Sequence, residues 1–484
     1  MTARSTVALL ASLAILAVAA LPATAGAAGS AETPQAGPLN PAFVEALHDP
    51  LVTAGLGRRP NPVAVHVGSV ARARTTRTSL PGAYSLIEQG RVTRVKDQRS
   101  YGTCWAFANI AAIESKLLPA RLWDLSEDNL VGRSGFGSSR SWRYNWGGYD
   151  FMAIAYFARW AGPVNETNDP YPSPTLPKQS RVRRHVQGVA MIPGRVGPLD
   201  NDLIKQLVVD NGALSVGMYM DPTQQAYNGY GARGSTAEHA AYYLPDQRGE
   251  NHGVNIVGWD DSFSASHFTG VTGEPPGDGA FLVRNSWGAA FGERGYFWVS
   301  YYDASFAREQ GLGGYGGCVS YTVVNSTRNY GRNYQHDKLG VTDHWGYGDS
   351  LVWGANRFTA KANEPIVAAA FYTLAANTGY EVWAGRRFSS LRLRATGVTP
   401  LPGYTTVKFD TALRARRGRQ FVVVVRLDSP GEMYPLAVER PAAAWQKRAT
   451  ARRGQSYMSH DGVTWRSLLR YAPNANVCIK AFAE

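Results

Sequence analysis

Cysteine is scarce: Cys104, Cys318 and Cys478 are the only three in 484 residues. This is no disulfide scaffold, and at most one bridge can form while a thiol stays free. Charged residues are few as well, at 18%, and acid is the rarer sign, with 37 Asp and Glu against 50 Lys and Arg. Long apolar runs are missing after residue 20, which excludes stable membrane insertion by the body of the chain. There is no internal repeat and no low-complexity tract. What is abundant is glycine (51 residues) and aromatic side chains (11%), a mix that favours strands and turns over long helices.

The length suggests two or three folded units, and 44% apolar residues suffice for sizeable cores. The net charge of +13 comes from arginine, clustered at 91–94, 181–184 and 414–419. Such clusters attract acidic partners, for example an acidic wall polymer, or simply form a solvated basic surface. None sits in a nucleic-acid motif, so no nucleic-acid partner is expected. Residues 1–25 read as an export signal. Arg4 is the basic start, 7–20 is an apolar run broken only by Ser12, and Ala23-Thr24-Ala25 is a small-x-small cleavage site. A secreted, extracellular or wall-associated location follows as the expectation.

Residues 26–79, rich in Ala, Pro, Arg and Thr, read as a linker or pro-segment. From Leu80-Pro81 the character changes. Ala106, Ile110, Ile113 and Leu117 predict an amphipathic helix over 105–118, closed by Pro119, and a second helix is expected over 150–160. Strands are expected at 214–220, 254–259, 280–284 and 295–300. After a glycine-rich connector at 311–317 they recur at 366–372, 380–383, 405–409, 421–427, 436–439, 456–459 and 477–482. Short strands at this spacing argue for a β-sandwich over 325–484, expected to be a separable unit.

Three segments carry chemistry. In Asp97-Gln98-Arg99-Ser100-Tyr101-Gly102-Thr103-Cys104-Trp105, the thiol stands at the start of the predicted helix, where the helix N-terminus favours a thiolate. Gln98, six residues upstream, is placed to donate an N–H to a developing oxyanion. In Asn251-His252-Gly253-Val254, His252 is mounted on an apolar strand. In Arg284-Asn285-Ser286-Trp287-Gly288, Asn285 ends another strand and can accept a hydrogen bond from the imidazole, with Trp287 as a cover. Thiol, imidazole and an orienting amide form a nucleophile–base–orienter unit.

In the order Gln98, Cys104, His252, Asn285, these segments resemble the papain-like cysteine peptidases. Leu125-Ser126-Glu127-Asp128-Asn129-Leu130, Gly162-Pro163-Val164, Gly212-Ala213-Leu214-Ser215-Val216 and Gly292-Glu293-Arg294-Gly295-Tyr296-Phe297 extend the resemblance over 80–303. It implies an α+β peptidase domain over 80–317, with a helical lobe, a β lobe and a cleft between them. It also implies peptide-bond hydrolysis with no metal or other cofactor. Gly147 and Gly148 would border the substrate cleft, Gly217 would leave the second specificity pocket open, and Asn251 and Trp287 would complete the substrate-binding set.

There are departures from the family pattern. Tyr101 stands where the family has a cysteine, and Asn145-Trp146 precede the glycine pair where its disulfide partner would lie. The pro-segment is short, and 262–279 is an extra loop between His252 and Asn285. The end of the chain resembles the lectin-like domain that follows the peptidase in some bacterial exported enzymes, through Tyr334-Gln335-His336-Asp337, Ser459-His460-Asp461-Gly462 and Asn476-Val477-Cys478-Ile479. That resemblance implies an all-β sandwich binding glycan or cell-wall material, to which Trp345, Tyr347 and Trp353 would offer stacking faces.

Cys318 and Cys478 would either pair or stay separate thiols. His336, Asp337 and Asp343 would form either a polar loop or a metal site. The expected function is a secreted, monomeric cysteine endopeptidase acting on proteins or peptides. The alternative is a catalytically silent surface or glycan-binding protein on a peptidase scaffold.

Overall fold

The computed structural model describes residues 33–48, 56–65, 80–137, 139–173, 175, 180–231, 235–308, 317–441, 446 and 449–484. The export signal at 1–25 and nearly all of the connector at 311–317 lie outside them.

The helical lobe is built from Cys104–Leu117, Glu127–Arg133, Arg140–Asn145 and Asp150–Ala158. The first and last are apolar on nearly every face and are buried accordingly, with Trp105, Ile110, Ile113, Phe151 and Phe157 in one core. Ser126 caps the Glu127–Arg133 helix by accepting from Asn129 N at 2.9 Å. Beneath the lobe, Lys96 Nζ is held by Glu114 (3.1 Å), Glu127 (2.8 Å) and the Leu125 carbonyl (2.7 Å). Buried charge is tolerable when it is paired in this way.

Where the family's disulfide is missing, an aromatic cluster stands. Tyr101 meets Tyr144 edge to face at 4.9 Å, Tyr171 stacks on Tyr144 at 5.9 Å, and the Arg140 guanidinium lies 4.3 Å from the Tyr144 ring centroid.

The β lobe contains the expected strands, observed as Leu214–Met218, His252–Asp260, Ala280–Arg284 and Tyr296–Ser300. It also contains two that hydropathy did not reveal, Arg184–Ile192 and Cys318–Ser326. These two pair antiparallel. Arg184–Ile192 then pairs on its other edge with Gly403–Ala415 of the C-terminal unit, through Ala190–Gly403, Val189–Tyr404 and Gly188–Thr405. One twelve-stranded sheet therefore runs through both units.

The C-terminal unit is the expected all-β sandwich. Its part of that sheet faces a six-stranded sheet that includes Leu351–Thr359, Thr378–Gly385 and Gln420–Asp428. Between them lie Val352, Phe371, Val382, Val423, Val425 and Ile479. The predicted strand at 477–482 is split at Cys478 into Asn476–Val477 and Ile479–Ala483.

The sandwich, expected as a separable unit, shares a core with the peptidase unit. Tyr321, Leu339, Tyr372, Tyr404 and Phe482 share one core with Trp105, Phe151 and Tyr156. Cys318 and Cys478 are both buried and are not joined to each other by a disulfide. Asp337 is neutralised by Lys480 at 2.5 Å, Asp343 by Arg440, and His336 bonds the Arg357 carbonyl at 2.9 Å. Among the described residues no group of three or more His, Cys, Asp or Glu side chains could hold a metal ion.

Deleting residues 323–484 removes the edge partner of Arg184–Ile192 and much of the shared core. The expected outcome is loss of a cooperative thermal transition by circular dichroism, not a free peptidase. Tyr404→Ala, which removes a buried ring 5.0 Å from Tyr372, should cost about 3–5 kcal/mol in urea unfolding.

Candidate active site

The Cys104–Leu117 helix points its first residue at the strand His252–Asp260. Asn255 Nδ2 donates to the Ala108 carbonyl (2.8 Å) and locks the two elements together. Gly253 permits the approach, since a Cβ there would lie 3.3 Å from the Cys104 backbone. Its own N–H donates to Cys104 Sγ at 3.2 Å, which sets the thiol beside the neighbouring residue, His252.

His252 Nε2 and Asn285 Oδ1 are 2.8 Å apart, and His252 Nδ1 is buried without a hydrogen-bond partner. With Asn285 Oδ1 as acceptor, Nε2 carries the proton, which leaves Nδ1 as a base. Trp287 stacks on the imidazole at 4.8 Å and covers that bond. Gln98 is fully buried and held at both ends: Oε1 accepts from Ser286 Oγ (2.5 Å), and Nε2 donates to the Tyr101 carbonyl (2.7 Å). The structure thus brings together Gln98, Cys104, His252, Asn285 and Trp287.

The cleft is filled by the chain itself. Gly57 N and Arg58 N both donate to the Asn251 carbonyl, at 2.9 and 3.0 Å. Gly148 N donates to the Gly57 carbonyl and Arg59 N to the Gly148 carbonyl, each at 2.9 Å, so this segment runs parallel to the cleft wall at Gly148. Three close contacts require glycine. A Cβ at Gly57 would meet the Gly102 carbonyl at 2.3 Å, one at Gly147 the Gly57 carbonyl at 2.5 Å, and one at Gly148 the Trp105 ring at 2.4 Å.

Upstream, Asn40 Nδ2 donates to the Asn61 carbonyl (3.0 Å), Phe43 packs on Tyr149 (5.7 Å), and Gln35–Ala36 pairs with Trp345 and Gly346 of the sandwich. The N-terminal segment therefore touches both units.

Arg58 was not singled out in the sequence. Its guanidinium forks onto Asp150, Nη1 to Oδ1 at 2.6 Å and Nη2 to Oδ2 at 2.5 Å, and its Nε lies 3.4 Å from Glu250 Oε2. The room that Gly217 leaves is not open: a Cβ there would sit 1.5 Å from Glu250 Oε2. The signal available in the sequence was acid beside two cleft positions, Asp150 after Gly148 and Glu250 before Asn251.

Occlusion sets the electrostatics. Burial pushes the Cys104 thiol up to about 12, against the lowering effect of the Gly253 N–H and Arg58. Burial pushes His252 down to about 4, against Asn285. Burial thus works against both the thiolate and the imidazolium in the covered site.

A two-lobed fold with a thiol at a helix N-terminus, an imidazole on the facing strand and an amide behind it defines the class of papain-type cysteine proteases. Residues 80–310 match the family model "Papain family cysteine protease", and residues 333–483 match "Lectin like domain". The chain carries a papain-family domain followed by a lectin-like domain.

In sequence it is 30% identical over 239 residues to cathepsin S of Mus musculus, covering 46% of this chain and 60% of that protein. It is 27% identical over 254 residues to vignain of Vigna mungo, covering 52% of this chain and 62% of that protein. The chain thus spans roughly 60% of the length of these curated relatives.

In structure it is similar to the cysteine protease and lectin-like domains of Cwp84, a surface layer associated protein of Clostridium difficile. The TM-score is 0.74 at 24% identity, over 93% of this chain and 98% of that one. Clostridial Cwp84 after propeptide cleavage gives a TM-score of 0.69 at 25% identity, over 83% and 99%.

Because burial disfavours the thiolate, alkylation of Cys104 by iodoacetamide in the intact chain should be slow at pH 7. It should rise about tenfold per pH unit to beyond pH 9. Once the N-terminal segment is removed, the rate at pH 7 should climb by at least about a hundredfold. Peptide mass mapping separates Cys104 from Cys318 and Cys478.

Proposed function

We propose that this protein is a secreted cysteine endopeptidase made as a precursor whose residues 26–79 block its own cleft. The observation that carries the reading is the alignment of Cys104 Sγ, the Gly253 N–H and the His252–Asn285 hydrogen bond of 2.8 Å at the mouth of one helix. With the cleft open, His252 Nδ1 takes the Cys104 proton and the thiolate attacks the scissile carbonyl. The Cys104 backbone N–H and the second hydrogen of Gln98 Nε2 hold the oxyanion. His252 then protonates the leaving amine, and water hydrolyses the thioester. No step in this sequence calls for a metal or other cofactor.

Cys104→Ala should lower hydrolysis of peptide amides by at least about a thousandfold without lowering the melting temperature. His252→Ala should behave alike, and Asn285→Ala should lose less, because it orients rather than reacts. Activity within a few-fold of wild type in Cys104→Ala would refute the mechanism. N-terminal sequencing of the active secreted protein is expected to begin near Leu80; a start at residues 26–28 would rule out the pro-segment role.

The lectin-like unit is proposed to hold the enzyme on glycan or an acidic wall polymer, in keeping with the surface-layer association of Cwp84. Trp345 and Tyr347 are buried and unsuited to stacking. Trp353 is half-exposed, beside Trp383, Tyr457 and Trp465 on the outer face of the six-stranded sheet. Elsewhere, Arg386, Arg387, Arg414, Arg416 and Arg419 line an open cavity of about 600 Å³ suited to anionic groups. Trp353→Ala should weaken retention on isolated cell walls, while Arg416→Ala with Arg419→Ala should weaken it only below about 0.2 M salt. Unchanged retention in all of these variants would remove the targeting role.

A further inference from the structure

Beside the cleft position Gly148, the Arg58 guanidinium sits in a pocket walled by two carboxylates. Asp150 is 0% exposed and Glu250 8%, and Arg58, at 2%, is buried between them. The Asp150 carboxylate is anchored from behind by Asn109 Nδ2 at 3.2 Å, and Asn109 in turn accepts from the Tyr321 hydroxyl at 2.6 Å. Glu250 occupies the space vacated by the missing side chain of Gly217. Asn109, Tyr321 and Gly217 all lie outside the N-terminal segment, so the support of Asp150 and the room for Glu250 do not depend on it.

Vacating the pocket leaves two neighbouring buried carboxylates with no cation. Burial pushes Glu250 up to about 7, with Asp150 adding to the rise and Arg58 opposing it. Burial alone would weaken the Arg58 cation, but the two carboxylates outweigh it and hold its pKa above the ordinary value. A pocket of this kind is intolerant of apolar occupants, because they leave buried acceptors unpaired. It favours a planar guanidinium, whose fork matches Asp150 in two bonds while Nε faces Glu250.

We propose that the Asp150–Glu250 pocket is a specificity site selecting an arginine side chain in the substrate, with Arg58 as its resident mimic in the precursor. The proposal rests on the peptidase reading for its catalytic consequence, but the recognition of a guanidinium does not. Any substrate residue whose backbone pairs with Gly148 and the Asn251 carbonyl, as residues 57–59 do, delivers its side chain to this pocket. Lysine reaches the same charges but makes no fork, so it ranks second, and leucine or phenylalanine ranks last.

Two measurements test this. In the first, the full chain is allowed to process under reducing conditions and is given a library of fluorogenic peptides. One position relative to the cut bond should favour arginine over leucine by about a hundredfold in kcat/KM. Glu250→Leu should erase most of that preference and raise turnover of the leucine peptides. Equal or better cleavage of the leucine peptides by wild type overturns the proposal, whereas cleavage of no peptide at all overturns the peptidase reading instead.

The second measurement needs no catalysis. In the full chain carrying Cys104→Ala, Arg58→Gly should lower the melting temperature, and millimolar methylguanidinium should restore several degrees of it. Methylguanidinium should do nothing for the same chain with Glu250→Leu and Asp150→Asn added. Absence of rescue, or equal rescue in both chains, overturns the pocket's selectivity whatever the peptide assay shows.

Discussion

Everything at the site depends on one close approach, the N-terminus of the Cys104–Leu117 helix against the strand His252–Asp260 at Gly253. A Cβ at Gly253 would crowd the Cys104 backbone at 3.3 Å, so glycine eases the approach at which its backbone N–H reaches Cys104 Sγ while the adjacent residue supplies the imidazole. The Asn255–Ala108 bond and the Trp287 stack hold the geometry from either side. Gln98 is tied in by Ser286, the residue next to Asn285, so the amide proposed to hold the oxyanion and the amide that meets the imidazole hang from the same turn.

A second constraint is the handling of buried charge. Lys96 among Glu114 and Glu127, Arg58 between Asp150 and Glu250, and Lys480 on Asp337 each put a cation into low dielectric beside acids. In two of these clusters all partners belong to the permanent body of the protein, and they act as structure. In the third the cation arrives on a segment that does not belong to the two-lobed domain. That difference is the basis of the proposal that another guanidinium can take the place of Arg58, as none could for Lys96 or Lys480. Burial in the covered cleft works against the charged forms of both Cys104 and His252.

The peptidase and the sandwich are joined more intimately than a linker between two domains would require. The strand Arg184–Ile192 has one edge in each unit, and a single core extends from Trp105 to Phe482. Strand Gln35–Ala36 adds a further connection, from the edge of the sandwich toward the cleft. The tyrosine cluster around Tyr101 and Tyr144 replaces a covalent tie with packing, and it also fixes the loop before Cys104, since Gly102 N donates to the Tyr144 carbonyl at 2.7 Å.

The sequence by itself determined the local facts. The position of the Cys104 helix, the strands at Leu214–Met218 and Ala280–Arg284, the sandwich strands at Leu436–Glu439 and Ser456–Ser459, and the segments carrying Gln98, Cys104, His252 and Asn285 were all legible from residue order. Periodicity and short motifs are properties of neighbours in the chain. What hydropathy could not show depended on distant partners. Arg184–Ile192, continuously buried after its first residue, has no alternation to announce it, and its pairing with Gly403–Ala415 spans more than 200 residues. The fusion of the two cores escaped for the same reason. The Arg58–Asp150–Glu250 clamp was hidden because each member looks like an ordinary charged residue until the fold takes all three out of water together. Only tertiary structure sets the dielectric around a charge, and so only it decided which charges bind something.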